Sequence, residues 1–165
     1  MNGRLLVAGI GNIFLGDDAF GVEVAKRMSQ QRLPPDVVVK DFGIRSYDLA
    51  YALMEDWELV ILLDALPQGG RPGTVYTYEP ELPADGEMPF SLDGHTMNPV
   101  AVLQLVKALG GRVGRILVVG CEPATVEPDE DGNIGLSVPV AAAVDEAVQV
   151  VEELIASARK QLKAA

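Results

Sequence analysis

Hydrophobic residues in this chain come in short unbroken runs separated by longer amphipathic stretches. Residues 4–10, 37–42, 59–65 and 115–121 are runs dominated by Val, Leu and Ile. Continuous rather than alternating apolar character predicts strands buried on both faces, the pattern of a parallel sheet. Residues 73–78 alternate instead and are bracketed by prolines, which predicts an edge strand. Between the runs, residues 18–32 put Val22, Ala25 and Met28 on one helical stripe and charges on the other. Residues 46–55 predict a second helix with Ser46 as N-cap. A third, over 98–109, has Pro99 at its first position and Gly110-Gly111 at its end. The last, from about 138 to 163, carries Asp145, Glu146, Glu152 and Glu153 early and Arg159, Lys160 and Lys163 late, the order that complements a helix dipole.

This alternation predicts one domain over residues 1–165, a three-layer α/β/α sandwich. Its central sheet is mostly parallel, with about five strands and one antiparallel edge strand. Two segments exceed ordinary connectors. Residues 79–96 contain Pro80, Pro83 and Pro89 and deliver His95, the only histidine; connections of such length are usually functional or disordered. Residues 122–137 carry the turn signal Asp131-Gly132-Asn133 between Thr125-Val126 and Ile134-Gly135-Leu136, which predicts a small hairpin.

Composition narrows the setting. With 48% hydrophobic residues the chain can build a core, and a net charge of -11 excludes a polyanion, so no nucleic acid is expected as partner. A single cysteine rules out an internal disulfide and fits a reducing cytoplasm. The first residues lack the pattern of an export signal, and no stretch approaches the roughly 20 apolar residues of a membrane span.

Asp18, Asp64 and His95 each fall at or just beyond the carboxyl end of an expected strand, where open α/β sheets collect their ligands. Two carboxylates and an imidazole gathered there suit metal binding or proton transfer. Asp64 closes a buried run, so its charge must be paired, metal-bound or solvated in a cleft. Of the pair Asp17-Asp18, one acid can serve the first helix's dipole; that role goes to Asp17, leaving Asp18 for the cleft. Asp41, ending the second run, is a secondary candidate as a substrate-positioning acid or a turn residue. Gly9-Ile10-Gly11-Asn12 begins like a dinucleotide fingerprint, but Phe14 stands where its third glycine belongs, and Asp17 and Asp18 repel phosphate. The glycines instead predict a tight, closely packed strand-to-helix turn. Cys121 ends the fourth apolar run and would pair with His95 in a cysteine hydrolase. Against that stand the apolar Val118-Val119 before it and the lack of a nearby cation in sequence to lower its pKa.

Taken in order, Gly9-Ile-Gly-Asn-Ile-Phe-Leu-Gly-Asp-Asp18 with Gly21, Asp41-Phe-Gly43, Leu62-Leu-Asp-Ala65 and Gly94-His-Thr-Met-Asn-Pro99 resemble the maturation endopeptidases of nickel–iron hydrogenases. Val119-Gly-Cys-Glu-Pro123 and Gly135-Leu-Ser137 extend the resemblance, which runs from residue 4 to about 150. Ala19 and Phe42 depart from it, standing where the family often has glycine or a small residue. The resemblance implies a protease that removes the C-terminal peptide of the hydrogenase large-subunit precursor after nickel insertion. It also implies that Asp18, Asp64 and His95 contact a metal, with no organic cofactor: the nickel carried by the precursor, the reading it favours, or an ion of the protease's own that polarises the scissile carbonyl and activates water. Two alternatives differ in class: a cysteine hydrolase using Cys121 and His95, and a non-catalytic nickel- or nucleotide-binding module.

Overall fold

In the computed structural model, which describes residues 3–81, 97–128, 130–132 and 134–165, every apolar run is a strand. They are β1 (Leu5–Ile10), β2 (Val37–Gly43), β3 (Leu59–Ala65) and β5 (Arg115–Cys121), with the alternating stretch as β4 (Val75–Tyr78). The sheet order is β2-β1-β3-β5-β4; all pairs are parallel except β4 with β5. Helices α1 (Phe20–Ser29) and α4 (Val138–Ala164) cover one face, and α2 (Ser46–Leu53) and α3 (Pro99–Ala108) the other. The pleat sorts the side chains: Val7, Ile61 and Val119 pack toward α1 and α4, while Ala8, Leu62 and Val118 pack toward α2 and α3.

Chain direction creates the crevice that matters. From β1 the chain runs through α1 outward to β2, then returns through α2, on the opposite face, to β3 on the other side of β1. Adjacent strands whose connections leave in opposite senses open a gap outside their carboxyl ends. Here that gap lies between β1 and β3. Gly21 lets α1 lie against it, since a Cβ there would meet Leu63 O at 2.0 Å and Ile10 O at 2.4 Å. Gly11, at φ 150°, sits so close to the following turn that a Cβ would be 1.9 Å from Asp18 O. The glycine-rich segment is thus the tight turn its sequence predicts.

Several details differ from expectation. The first helix is split: a 3-10 turn (Gly16–Ala19) precedes α1, which ends at Ser29 with Pro34-Pro35 beyond. Ser46 does not cap α2; Arg45 occupies the N-cap position with no side-chain cap bond. Asn98 does cap α3, accepting a hydrogen bond from Ala101 N at 2.9 Å, with Pro99 next in the first turn. No strand forms among the described residues of 122–137, so the expected hairpin is absent there. That segment's amides are instead drawn to a buried carboxylate, described below.

Candidate functional site

Asp64 is the penultimate residue of β3 and only 3% exposed. Strand alternation directs it to the α2/α3 face, beside Gly120 of β5. Its Oδ1 accepts a hydrogen bond from Ala65 N at 2.9 Å. Burial pushes its pKa well above the usual carboxylate range, the negative charge of Asp18 adds to that, and the Ala65 N–H only partly offsets it. Asp18, half-buried in the 3-10 turn after β1, accepts a hydrogen bond from Asn12 N through Oδ2 at 2.8 Å. The crevice therefore brings together two carboxylates, one from each side, close enough for one charge to hinder the other's ionisation. Tyr78 of β4 belongs to the same neighbourhood: burial raises its phenol pKa first, and the charge of Asp64 second. A carboxyl group held in this way can act as an acid–base group or release its proton when a cation binds it.

Two further acids build the walls, and sequence reasoning missed both roles. Asp17 is fully buried and does not serve the helix dipole. Its carboxylate accepts hydrogen bonds from Ala124 N (2.8 Å), Thr125 N (3.1 Å), Ser137 N (2.7 Å) and Ser137 Oγ (2.8 Å). In place of the expected strand pair, the amides of Ala124, Thr125 and Ser137 point at Asp17. Glu122, just past β5, accepts from Gln68 N (2.8 Å), Gly69 N (3.1 Å) and the Tyr76 hydroxyl (3.0 Å). Burial works to raise its pKa, but the amides of Gln68, Gly69 and Gly70 and the Tyr76 hydroxyl outweigh it, and the net shift is downward. Glu122 thereby fixes the loop that leaves Asp64. Its signal was present in sequence, because it too is a charge at the end of a buried apolar run.

Asp41 lies at the same sheet edge but is exposed, and it caps its own turn by accepting from Gly43 N at 2.7 Å. Strand β1 separates it from Asp64. Cys121 faces away from the acid pair, in the core against α4. Burial lifts its thiol to about 11, with the charge of Asp17 adding to the effect. His95 lies outside the described residues, as does the expectation that it joins the two acids. Among the described residues, no group of three or more His, Cys, Asp or Glu could hold a metal ion.

The sequence profile of the hydrogenase maturation protease family matches residues 22–154. The chain belongs to that family. It is 34% identical over 155 residues to a hydrogenase expression/formation protein of Rhodobacter capsulatus, covering 92% of this chain and 71% of that one. Among solved structures it resembles the hydrogenase maturating endopeptidase of E. coli, with a TM-score of 0.72 and 30% identity over 96% of this chain and 93% of the other. It also resembles the hydrogenase 2 maturation peptidase of a Thaumarchaeota archaeon, with a TM-score of 0.69 and 32% identity over 93% and 98% of the two chains. This member of the hydrogenase maturation proteases is therefore a hydrolase, and its mixed five-stranded sheet is the fold of its relatives. No helix among the described residues is long and apolar enough to cross a membrane.

Proposed function

We infer that this protease removes the C-terminal peptide of a nickel–iron hydrogenase large-subunit precursor once nickel is in place, and that it reads the nickel through Asp18, Asp64 and His95. The observation that carries the reading is the coupled carboxylate pair in the β1/β3 crevice. Carboxylate oxygens with an imidazole suit a borderline divalent cation. In this reading, two acids and one histidine leave the ion's coordination incomplete, and ligands of the precursor supply the rest. Specificity for a loaded substrate then follows, because an empty precursor offers nothing for the acid pair to hold.

Chemistry at Asp64 fits the same scheme. Burial raises its pKa, so a proton and a cation compete for this carboxylate. Anchoring the precursor through its nickel holds the scissile bond at the crevice, so positioning supplies a large part of the rate enhancement. A carboxylate of the pair, ionised beside that bond, is suited to take a proton from the attacking water.

The test compares nickel-loaded with nickel-free precursor, with trimming followed by mass spectrometry. Loaded precursor should lose its C-terminal peptide and empty precursor should survive. His95→Ala should abolish trimming while leaving the circular dichroism spectrum unchanged. Equal trimming of both precursors by the unaltered protein would refute the reading.

A further inference from the structure

Strand pairing stops short of the two acids. The β1–β3 ladder runs from Leu5 beside Leu59 to Gly9 beside Leu63 and ends there, before Asp64 and before the turn that carries Asp18. Beyond it the two chains part. Gly11 N donates to Gly43 O of β2 at 3.0 Å, while Asp64 and Ala65 pair with Gly120 and Cys121 of β5. Helix α1 bears on the gap from one face of the sheet, through the close approach of Gly21 to Leu63 O and Ile10 O. Two ionised carboxylates across such a gap repel each other, so the edge itself needs a second tie.

Glu122-Pro123-Ala124-Thr125, the segment just past β5, reaches both sides. On the Asp64 side, the Glu122 carboxylate accepts from Gln68 N at 2.8 Å, Gly69 N at 3.1 Å and the Tyr76 hydroxyl at 3.0 Å. Its backbone adds to the hold: Glu122 N donates to Thr74 O at 2.8 Å, and Gly73 N donates to Glu122 O at 2.9 Å. On the Asp18 side, Ala124 N and Thr125 N donate to Asp17 Oδ2, and Asp17 N donates to Thr125 O at 2.9 Å. Pro123, whose ring fixes its φ, joins the two sets of bonds. Packing leaves little slack at the turn, since a Cβ on Gly16 would stand 3.1 Å from Thr125 O. Ser137 reinforces the same point. It sits at the N-cap of α4 but makes no side-chain cap bond, and its hydroxyl goes to Asp17 instead.

We propose that Glu122 and Asp17 are positioning residues for hydrolysis, joined by residues 122–125 into a brace that sets the separation of the Asp18 and Asp64 carboxylates. The proposal rests on the proteolytic reading above. Neither residue touches the substrate in this scheme; each acts through the acid beside its own end of the brace. A misplacement of about 1 Å costs a catalytic site about 100-fold in rate, so a loosened brace is felt in turnover before it is felt in binding.

Two variants of the full chain test it. Glu122→Ala removes the bonds on the Asp64 side. Asp17→Asn keeps the shape on the other side but turns one acceptor oxygen into a donor facing N–H groups. Each should lower kcat on nickel-loaded precursor about 30-fold, with KM within about twofold. Because both act through one brace, the double variant should lose no more than about threefold beyond the worse single one, whereas independent defects would multiply. Amide hydrogen exchange reads the brace without substrate. The Asn12 amide is held by Asp18 and the Ala65 amide by Asp64. Glu122→Ala should speed exchange at Asn12, across the crevice from the lost bonds, by about tenfold, and Asp17→Asn should do the same at Ala65. Ala101, held by Asn98 at the start of α3, should exchange as before in both. If Asp17→Asn does not fold, Glu122→Ala decides the exchange test alone. Multiplying losses of kcat, or faster exchange confined to the side of the substitution, would overturn the brace. Absence of cleavage by the unaltered protein would instead count against the proteolytic reading, and the exchange rates still judge the brace.

Discussion

Asp64 keeps a carboxyl group where water scarcely reaches, next to a second acid, and that combination has a measurable consequence for stability. Because folding raises its pKa above 3.8, the folded protein holds this proton more tightly than the unfolded chain does. The contribution of Asp64 to stability is therefore most favourable at or below that ordinary value, declines as pH rises toward the elevated pKa, and levels off above it. Asp64→Asn keeps the shape without the charge. In thermal melts at pH 7 it should unfold a few degrees higher than the unaltered protein, with the gap closing near pH 4. The same variant should fail to trim loaded precursor; equal melting temperatures at pH 7 would mean that Asp64 is better solvated than its burial indicates. Cys121 gives the complementary case. With its thiol at about 11 and buried against α4, it carries almost no thiolate at neutral pH. Cys121→Ser should lower stability by about 1–2 kcal/mol, the usual result of burying a hydroxyl in an apolar place, and leave trimming intact. Loss of trimming in a folded Cys121→Ser protein would restore the cysteine-hydrolase alternative.

At the scale of elements, the contact of α1 with β1 and β3 sets the spacing of the crevice. Gly21 has an ordinary helical backbone, so its demand is for space alone. Gly21→Ala would drive a methyl group into Leu63 O and Ile10 O, and backbone atoms there cannot give way as a side-chain tip would. Overpacking of this kind costs about 1–3 kcal/mol, read from urea unfolding. Trimming should fall further than stability does, because any shift of α1 moves Asp18 relative to Asp64. Full activity in Gly21→Ala would show that the crevice tolerates a change of spacing. Strand elements were the most legible in sequence: β3 and β5 coincide with their apolar runs, because burial on both faces leaves no polar residue until the strand ends. Helix starts were less so. Ser46 has the right chemistry for a cap, yet the chain enters α2 one residue earlier, through Arg45.

For the whole molecule, the mixed sheet and the meeting of Asp18 with Asp64 followed from apolar runs and from charges stranded at their ends. The role of Asp17 did not, because its partners Ala124, Thr125 and Ser137 lie 107 to 120 residues away along the chain. Local pattern assigns an acid to its own helix and has no view of so distant a loop. Glu122 was visible as a charge at the end of an apolar run, but its partners were not, because Gln68 and Gly69 belong to a loop 53 to 54 residues back. The long reach of Asp17 also sets a timetable. A ribosome-bound chain can pair β1 with β3 as soon as residue 65 has emerged, but the wall beside Asp18 awaits Ser137. Distant contacts form late because their loop must close first. The crevice is then completed well after its first strands, so a half-made copy of this protease has a sheet and a crevice but no completed wall beside Asp18.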